Sequence, residues 1–125
     1  KKIIHTKKAP LTVGPYSQAI MVNNTLYISG QVALNPENNE LIEGSVEKES
    51  YQIMENIKSI LNESGLSFKN VVRSKIYLTD MNNFSKVNQV YGSYFEKGQE
   101  PARTTIEVSG LPLGVGVEID MIAVV

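Results

Sequence analysis

The C-terminal segment from Val115 to Val125 constrains the fold of this chain more than any other segment. Its final part, Ile119-Asp120-Met121-Ile122-Ala123-Val124-Val125, becomes apolar at successive positions, so a strand formed here is apolar on both faces. Helices of the same chain can cover one of those faces. The other face needs a further cover, and we expect a subunit interface there.

Residues with alternating polarity predict the other strands of the first two thirds of the chain. Short β-rich runs cover Ile3–His5, Gln18–Val22 and Thr25–Ser29. Asn23-Asn24 separates the last two runs, and since asparagine tolerates positive φ, this pair predicts a two-residue hairpin turn. A longer run with period two extends from Val71 to Leu78.

Two segments between these runs have helical periodicity. The first follows a candidate N-cap at Ser45 and ends at Gly65, and its apolar stripe is Val46, Ile53, Ile57, Ile60 and Leu61. The second begins at Asn82 or Asn83 and is expected to end at Gly98. Its stripe is Phe84, Val87, Tyr91, Tyr94 and Phe95.

The last two strands complete the order βββαβαββ. They cover Arg103–Ser109 and Val115–Val125, and Leu111-Pro112-Leu113-Gly114 is expected to join them as a hairpin. This order predicts a single α+β domain over residues 1–125, with one mixed sheet packed on two helices.

The composition excludes several kinds of site. The 125 residues include no cysteine, which rules out disulfides, thiolate metal sites and a cysteine nucleophile, and one histidine, which rules out a His-rich metal cluster. A formal net charge of −1 gives no electrostatic signal for nucleic acid. No apolar run is long enough to span a bilayer, so we expect a cytoplasmic protein. Because the sequence starts at Lys1 rather than at Met, a removed upstream segment and a mitochondrial location stay open.

Two charged residues in the last two strands are the first candidates for chemistry. Arg103 lies at a strand start near Pro101, and its planar guanidinium suits a carboxylate bidentately. Glu118 lies between Val117 and Ile119, where a carboxylate has either a raised pKa or a cationic partner. A raised pKa would suit a general base. The same pattern fits a cross-strand ion pair between Arg103 and Glu118, and both interpretations remain open.

Weaker signals come from three short motifs. Gly14-Pro15-Tyr16-Ser17-Gln18 is typical of a turn with an aromatic anchor. Ser29-Gly30-Gln31 ends a strand with a glycine, which permits either a tight turn or the close approach of backbone to a ligand. Asn88 lies on the flank of the second helix, where its amide needs partners.

Five motifs in order resemble the RidA family (reactive intermediate deaminase A, also known as the YjgF or L-PSP family). They span essentially the whole chain: Gly14–Gln18, Ile28–Gln31, Val87–Tyr91, Pro101–Val108 and Val117–Asp120. The resemblance implies a chorismate-mutase-like α+β fold, and a homotrimer with three clefts between subunits. It also implies hydrolysis of 2-imino acids such as 2-iminobutanoate and 2-iminopropanoate to 2-keto acids and ammonia, without a metal or organic cofactor.

The resemblance also implies roles for single residues. Arg103 would bind the substrate carboxylate and Glu118 would position or activate water. The cleft would be lined by Tyr16, Ser29, Gly30, Asn88 and Thr105. Many relatives have cysteine where this chain has Thr105, so a thiol role is absent, but the backbone groups of Thr105 remain available.

Two other functions remain open from the sequence. One is an endoribonuclease or translation inhibitor, for which a trimer would have to assemble a basic patch from Lys7, Lys8, Arg73 and Lys75. The other is a non-catalytic module that binds a metabolite in the same cleft.

Overall fold

Two helices lie on one face of a six-stranded mixed sheet in the computed structural model, which describes residues 1–125. The strands are β1 (Lys2–Ile4), β2 (Ala19–Val22), β3 (Thr25–Gln31), β4 (Val71–Leu78), β5 (Ala102–Glu107) and β6 (Val117–Val124). The helices are α1 (Val46–Glu63) and α2 (Phe84–Gly92), and three single 3₁₀ turns lie at Phe68–Asn70, Met81–Asn83 and Pro112–Gly114. The predicted order βββαβαββ and the α+β class are confirmed. No helix is both long and apolar enough to cross a membrane.

The strand order is β1-β2-β3-β6-β4-β5, and β4 with β5 is the only parallel pair. The apolar β6 therefore lies inside the sheet, between β3 and β4. The expected hairpin through Leu111–Gly114 is wrong, because β4 lies between β5 and β6 and the segment crosses over it. β5 takes an edge position, which suits a strand that directly follows Pro101.

Helix α1 begins and ends where the sequence predicted. The Ser45 hydroxyl accepts a hydrogen bond from the backbone N–H of Lys48 at 3.1 Å, and the helix ends before Gly65, whose φ of +74° is left-handed. The buried stripe contains the five predicted residues Val46, Ile53, Ile57, Ile60 and Leu61.

Helix α2 is shorter than predicted, ending at Gly92 instead of Gly98. The Ser93 hydroxyl donates to the backbone carbonyl of Val90, and the chain then leaves the helix. Tyr94 and Phe95 still pack inward, each stacking on Phe68, with ring centroids 5.2 and 5.4 Å apart. The spacing of Tyr94 and Phe95 in the sequence fits a helix, but in the structure they lie in the turns that follow α2, and these turns direct both rings inward.

The core lies between the helices and one face of the sheet. On β6 that face consists of Val117, Ile119, Met121 and Ala123, all buried. We call the opposite face, which no helix covers, the open face; it carries Ile3, Ile20, Tyr27, Arg73, Lys75, Tyr77, Glu118, Asp120, Ile122 and Val124. The second face of β6 is apolar only at Ile122 and Val124, because Glu118 and Asp120 occupy its first half.

Candidate functional site

The seven candidate site residues divide into two groups on opposite faces of the sheet. Arg103 is paired in register with Ser74, which is fully buried under the helices. Glu118 is paired with Tyr77 on the open face. The ion pair between Arg103 and Glu118 that the sequence allowed is therefore wrong, because the two side chains leave the sheet in opposite directions from strands that are not neighbours.

Around Arg103 the helix face forms a half-site that can bind an anion. The Arg103 Nη1 donates to Asn88 Oδ1 at 2.7 Å, and the Arg103 side chain makes no other hydrogen bond within the chain. The remaining guanidinium donors can therefore meet a ligand carboxylate. The adjoining cavity of about 300 Å³ is lined by Asn88, Tyr91, Gly92, Glu100, Pro101 and Arg103.

Thr105 lies on the same face as Arg103 but does not line this cavity. Its hydroxyl is buried and has no hydrogen-bond partner in the chain. The hydroxyls of Ser74 and Tyr91 are also buried on this face and interact with each other. Of the predicted residues, this half-site brings together Arg103, Asn88 and Thr105.

On the open face, Glu118 forms the second half-site together with the end of β3. An irregularity in the pairing between Ile28 and Gln31 places Ser29 and Gly30 beside β6. A Cβ atom at Gly30 would lie 2.6 Å from Glu118 Oε2, so only glycine leaves room for this carboxylate. A cavity of about 390 Å³ is lined by Val13, Tyr16, Ser29, Gly30, Pro112 and Glu118.

The surroundings of Glu118 favour its protonated form. Burial raises the pKa of Glu118, and the nearby Asp120 carboxylate raises it further. The pKa of Asp120 is itself raised by burial, although a hydrogen bond from the Tyr77 hydroxyl at 3.2 Å opposes that shift. The Glu118 carboxyl group makes no hydrogen bond or ion pair within the chain, so it can exchange a proton with a ligand or water.

The loop before β2 is held in place by both Tyr16 and Gln18. Tyr16 is 45% exposed and lines the second cavity, and its hydroxyl accepts a hydrogen bond from the Val13 backbone N–H at 3.3 Å, as expected for the predicted aromatic anchor. Gln18 is only 2% exposed and its side chain bonds backbone groups of Thr6 and Pro10, while the Ser29 hydroxyl donates to Ser17 O. Gln18 ends the Gly14–Gln18 motif and begins a predicted strand, but neither feature indicated that its side chain is buried.

Phe84 is a further residue of the first half-site that the sequence did not indicate. It fell on the apolar stripe of α2 and was assigned to the core, but the ring is 37% exposed. Its centroid lies 5.5 Å from Arg103 Cζ, and that of Tyr91 lies 5.1 Å away. Periodicity alone cannot show that an apolar position contacts a cation.

Comparisons with known proteins agree with this architecture. The family model described as Endoribonuclease L-PSP matches residues 6–125. A mouse protein named 2-iminobutanoate/2-iminopropanoate deaminase is 48% identical over 124 residues, covering 99% of this chain and 91% of its own. A structure of RidA from an Antarctic Psychrobacter species has a TM-score of 0.95 at 42% identity and covers both chains fully. E. coli TdcF, solved with bound serine, has a TM-score of 0.93 at 35% identity, covering 100% of this chain and 99% of its own.

These matches cover the whole domain at a level of identity that establishes common ancestry. The protein is a small α+β protein with the chorismate-mutase-like fold. It belongs to the RidA (YjgF/L-PSP) family, as its five motifs indicated.

Proposed function

We propose that this protein hydrolyses 2-imino acids, such as 2-iminobutanoate and 2-iminopropanoate, to 2-keto acids and ammonia. The observation that carries the proposal is the pair of half-sites: a guanidinium with free donors at Arg103 and an unpaired carboxyl of raised pKa at Glu118. An imino acid offers a carboxylate to the first and an electrophilic carbon to the second. The deaminase names of relatives and the serine bound to TdcF, an amino acid with a carboxylate, support the same substrate class.

The two half-sites need a second copy of the chain to form one site. Within one copy they lie on opposite faces of the sheet, so the Arg103 side of one copy must meet the open face of another. The open face is suited to such contact because several apolar side chains remain exposed on its strands: Ile3, Val22, Tyr27 and Val124. A contact between two different surfaces of identical chains gives a closed ring when the rotation from one copy to the next closes. We propose a ring of three, the number that the family resemblance implies.

The proposed reaction uses these side chains and one water molecule. Arg103 binds the substrate carboxylate and thereby orients the C=N carbon toward Glu118. The Glu118 carboxylate, as an anion, stabilises the protonated imine. It accepts a proton from water as the water oxygen bonds to the imine carbon. The same proton returns to the nitrogen, and the C–N bond breaks to release ammonia. The hydroxyl left on the carbon gives its remaining proton to Glu118 as the carbonyl of the 2-keto acid forms, and that proton passes to the released ammonia as ammonium.

This role for Glu118 predicts the acid side of the pH profile. Glu118 must be ionised to act as a base, so kcat/KM should fall as pH decreases through a pKa above the ordinary value of 4.5. Asp120→Asn removes a negative charge that favours protonation of Glu118, so the acid midpoint should move to lower pH. Tyr77→Phe is the matched control for the lost Tyr77–Asp120 hydrogen bond. An unchanged midpoint in Asp120→Asn would show that Glu118 is not the titrating base.

Gly30→Ala tests the close approach of β3 to Glu118. Because the new Cβ would lie 2.6 Å from Glu118 Oε2, the carboxylate must turn away from its position. We expect kcat/KM to fall by about tenfold or more, since moving a catalytic base by about 1 Å strongly lowers the rate of the reaction. Gly110→Ala, where an added Cβ meets nothing within 4 Å, is the control. Full activity in Gly30→Ala would mean that the observed Glu118 position is not the reactive one.

The direct test generates the imine in the assay. A dehydratase that releases 2-iminobutanoate or 2-iminopropanoate is combined with this protein, and the loss of the imine is followed by absorbance. The proposal expects faster imine loss with the wild-type protein and little of that acceleration with Arg103→Ala. Tight binding of a 2-keto acid without any acceleration would instead favour a metabolite-binding module.

RNA cleavage is the second candidate, because the matching family model carries the word endoribonuclease. Within one copy the basic residues that this function would use lie apart, so a basic patch would have to form between copies. Lys7 and Lys8 follow the edge strand β1, whereas Arg73 and Lys75 lie on β4 near the opposite edge, where Asp120 faces them. Salt-dependent RNA cleavage that disappears in Arg103→Ala would favour this candidate over imine hydrolysis.

A further inference from the structure

Two aromatic rings and one amide surround the guanidinium of Arg103. The ring centroids of Phe84 and Tyr91 lie 5.5 and 5.1 Å from Cζ, and Asn88 Oδ1 accepts the hydrogen bond from Nη1 at 2.7 Å. All three residues come from α2, at the helix spacing that places positions 84, 88 and 91 on one side. One helix face therefore determines where the guanidinium lies.

The exposure of Phe84 separates this ring from the core. Val87, on the same helix, is 1% exposed and packs in the core, whereas Phe84 is 37% exposed at the first residue of α2. An exposed ring here contributes little to core packing, but its face attracts the adjacent cation. The Tyr91 ring is buried, and because Asn88 accepts the one hydrogen bond of the Arg103 side chain, Tyr91 contacts Arg103 through its ring.

Bidentate binding of a carboxylate depends on the orientation of the guanidinium plane. An arginine side chain has several rotatable bonds, and the single hydrogen bond to Asn88 leaves the plane free to turn about that contact. Two rings beside the cation remove much of this freedom before a ligand arrives. The Arg103 side chain then loses less conformational entropy when the ligand binds, and the two N–H donors on one edge of its guanidinium (the fork) meet the carboxylate together.

We propose that Phe84 and Tyr91 are positioning residues that hold the Arg103 fork in the orientation needed for the substrate carboxylate. This inference rests on the proposed function, in which Arg103 binds that carboxylate. It assigns to two residues of the α2 stripe a role in substrate binding that acts through Arg103.

The kinetic test compares Phe84→Leu with Phe84→Tyr. Leucine keeps an apolar side chain but removes the ring, so KM for 2-iminopropanoate should rise and kcat/KM should fall by about 3- to 30-fold, with a smaller change in kcat. Phe84→Tyr and Tyr91→Phe keep the ring faces and should stay near wild type. Tyr51→Leu removes a 56% exposed ring from α1 and is the control for loss of an exposed aromatic residue. Wild-type KM in Phe84→Leu would overturn the proposal.

A second measurement needs no substrate and separates this inference from the proposed function. Aromatic ring currents shift the NMR signals of the Arg103 Nε–H group and Cδ protons, and loss of one ring in Phe84→Leu should move them toward the values of a free arginine. Titration with 2-oxobutanoate, an unreactive carboxylate, should perturb the same signals with weaker affinity in Phe84→Leu. If the wild-type protein hydrolyses no imino acid but both NMR results hold, the proposed function fails and the positioning role stands. Unchanged Arg103 signals in folded Phe84→Leu would refute the positioning role, whatever the activity.

Discussion

Arg103→Ala should remove most imine hydrolysis while leaving the fold intact. Loss of a charge-assisted bidentate contact to the substrate carboxylate costs about 2–4 kcal/mol of transition-state binding, which corresponds to about 30- to 1000-fold in kcat/KM. Arg103→Lys should restore only part of this, because an ammonium group lacks the planar fork. Steady-state kinetics, measured beside thermal melting of the same preparations, give both quantities.

The structure predicts little change in thermal stability for Arg103→Ala. Arg103 has no carboxylate partner within the chain, and its one hydrogen bond is to the neutral Asn88, so its removal leaves no buried charge unpaired. The melting temperature should therefore change little. Lys86→Ala, which removes an exposed positive charge from α2, controls for a general electrostatic effect. A large fall in melting temperature with activity retained at low temperature would contradict substrate binding by Arg103.

Local patterns in the sequence were sufficient to predict most elements of the fold. The N-cap at Ser45, the left-handed Gly65 and the apolar stripe between them fix α1 through short-range interactions alone. The turn at Asn23-Asn24 likewise follows from the tolerance of asparagine for positive φ, which is +54° at Asn23. Caps, turns and apolar stripes depend only on residues a few positions apart, so they can be predicted from a single sequence.

The order of strands in the sheet depends on contacts between residues far apart in the sequence, so local sequence patterns do not predict it. Arg103 and Glu118 lie on consecutive strands, and consecutive strands are often neighbours, so the ion pair was a reasonable interpretation. The parallel pairing of β4 with β5 instead leaves β6 free to pair with β3 and β4. This nonlocal choice buries the apolar side chains of β6 more completely, and it determines that the two candidate groups occupy opposite faces.

The candidate residues were therefore found by motif, while their arrangement required the structure. Alternation predicts which residues of one strand share a face, but it does not say which face of the sheet the helices cover. Asn88 and Arg103 meet because α2 packs over β4 and β5, whereas Gly30 and Glu118 meet on the open face. The division into two half-sites is the structural reason to expect catalysis only in an assembly.

Mixing two inactive variants should restore activity if each site is shared between copies. Glu118→Gln removes the proposed base and should lower kcat/KM by about 100- to 10,000-fold, with Arg103 still present. In a ring where each site takes Arg103 from one copy and Glu118 from the next, a mixture of Glu118→Gln and Arg103→Ala chains rebuilds some complete sites. With equal amounts and random exchange, about one quarter of the sites regain both groups, whatever the number of copies in the ring.

The mixing experiment has a control that the chain itself supplies. Arg103→Ala mixed with the double variant Arg103→Ala/Glu118→Gln cannot rebuild a site, because no copy in the mixture carries Arg103. The two chains of each pair are refolded together from denaturant, and imine hydrolysis is measured beside sedimentation, which verifies that mixed assemblies have formed. Activity near one quarter of wild type in the test mixture and none in the control would support the shared site. Inactive mixed assemblies in both mixtures would show that Arg103 and Glu118 do not act across a subunit boundary. Since the two side chains lie on opposite faces of the sheet within one copy, that result would mean that they do not act on the same substrate molecule.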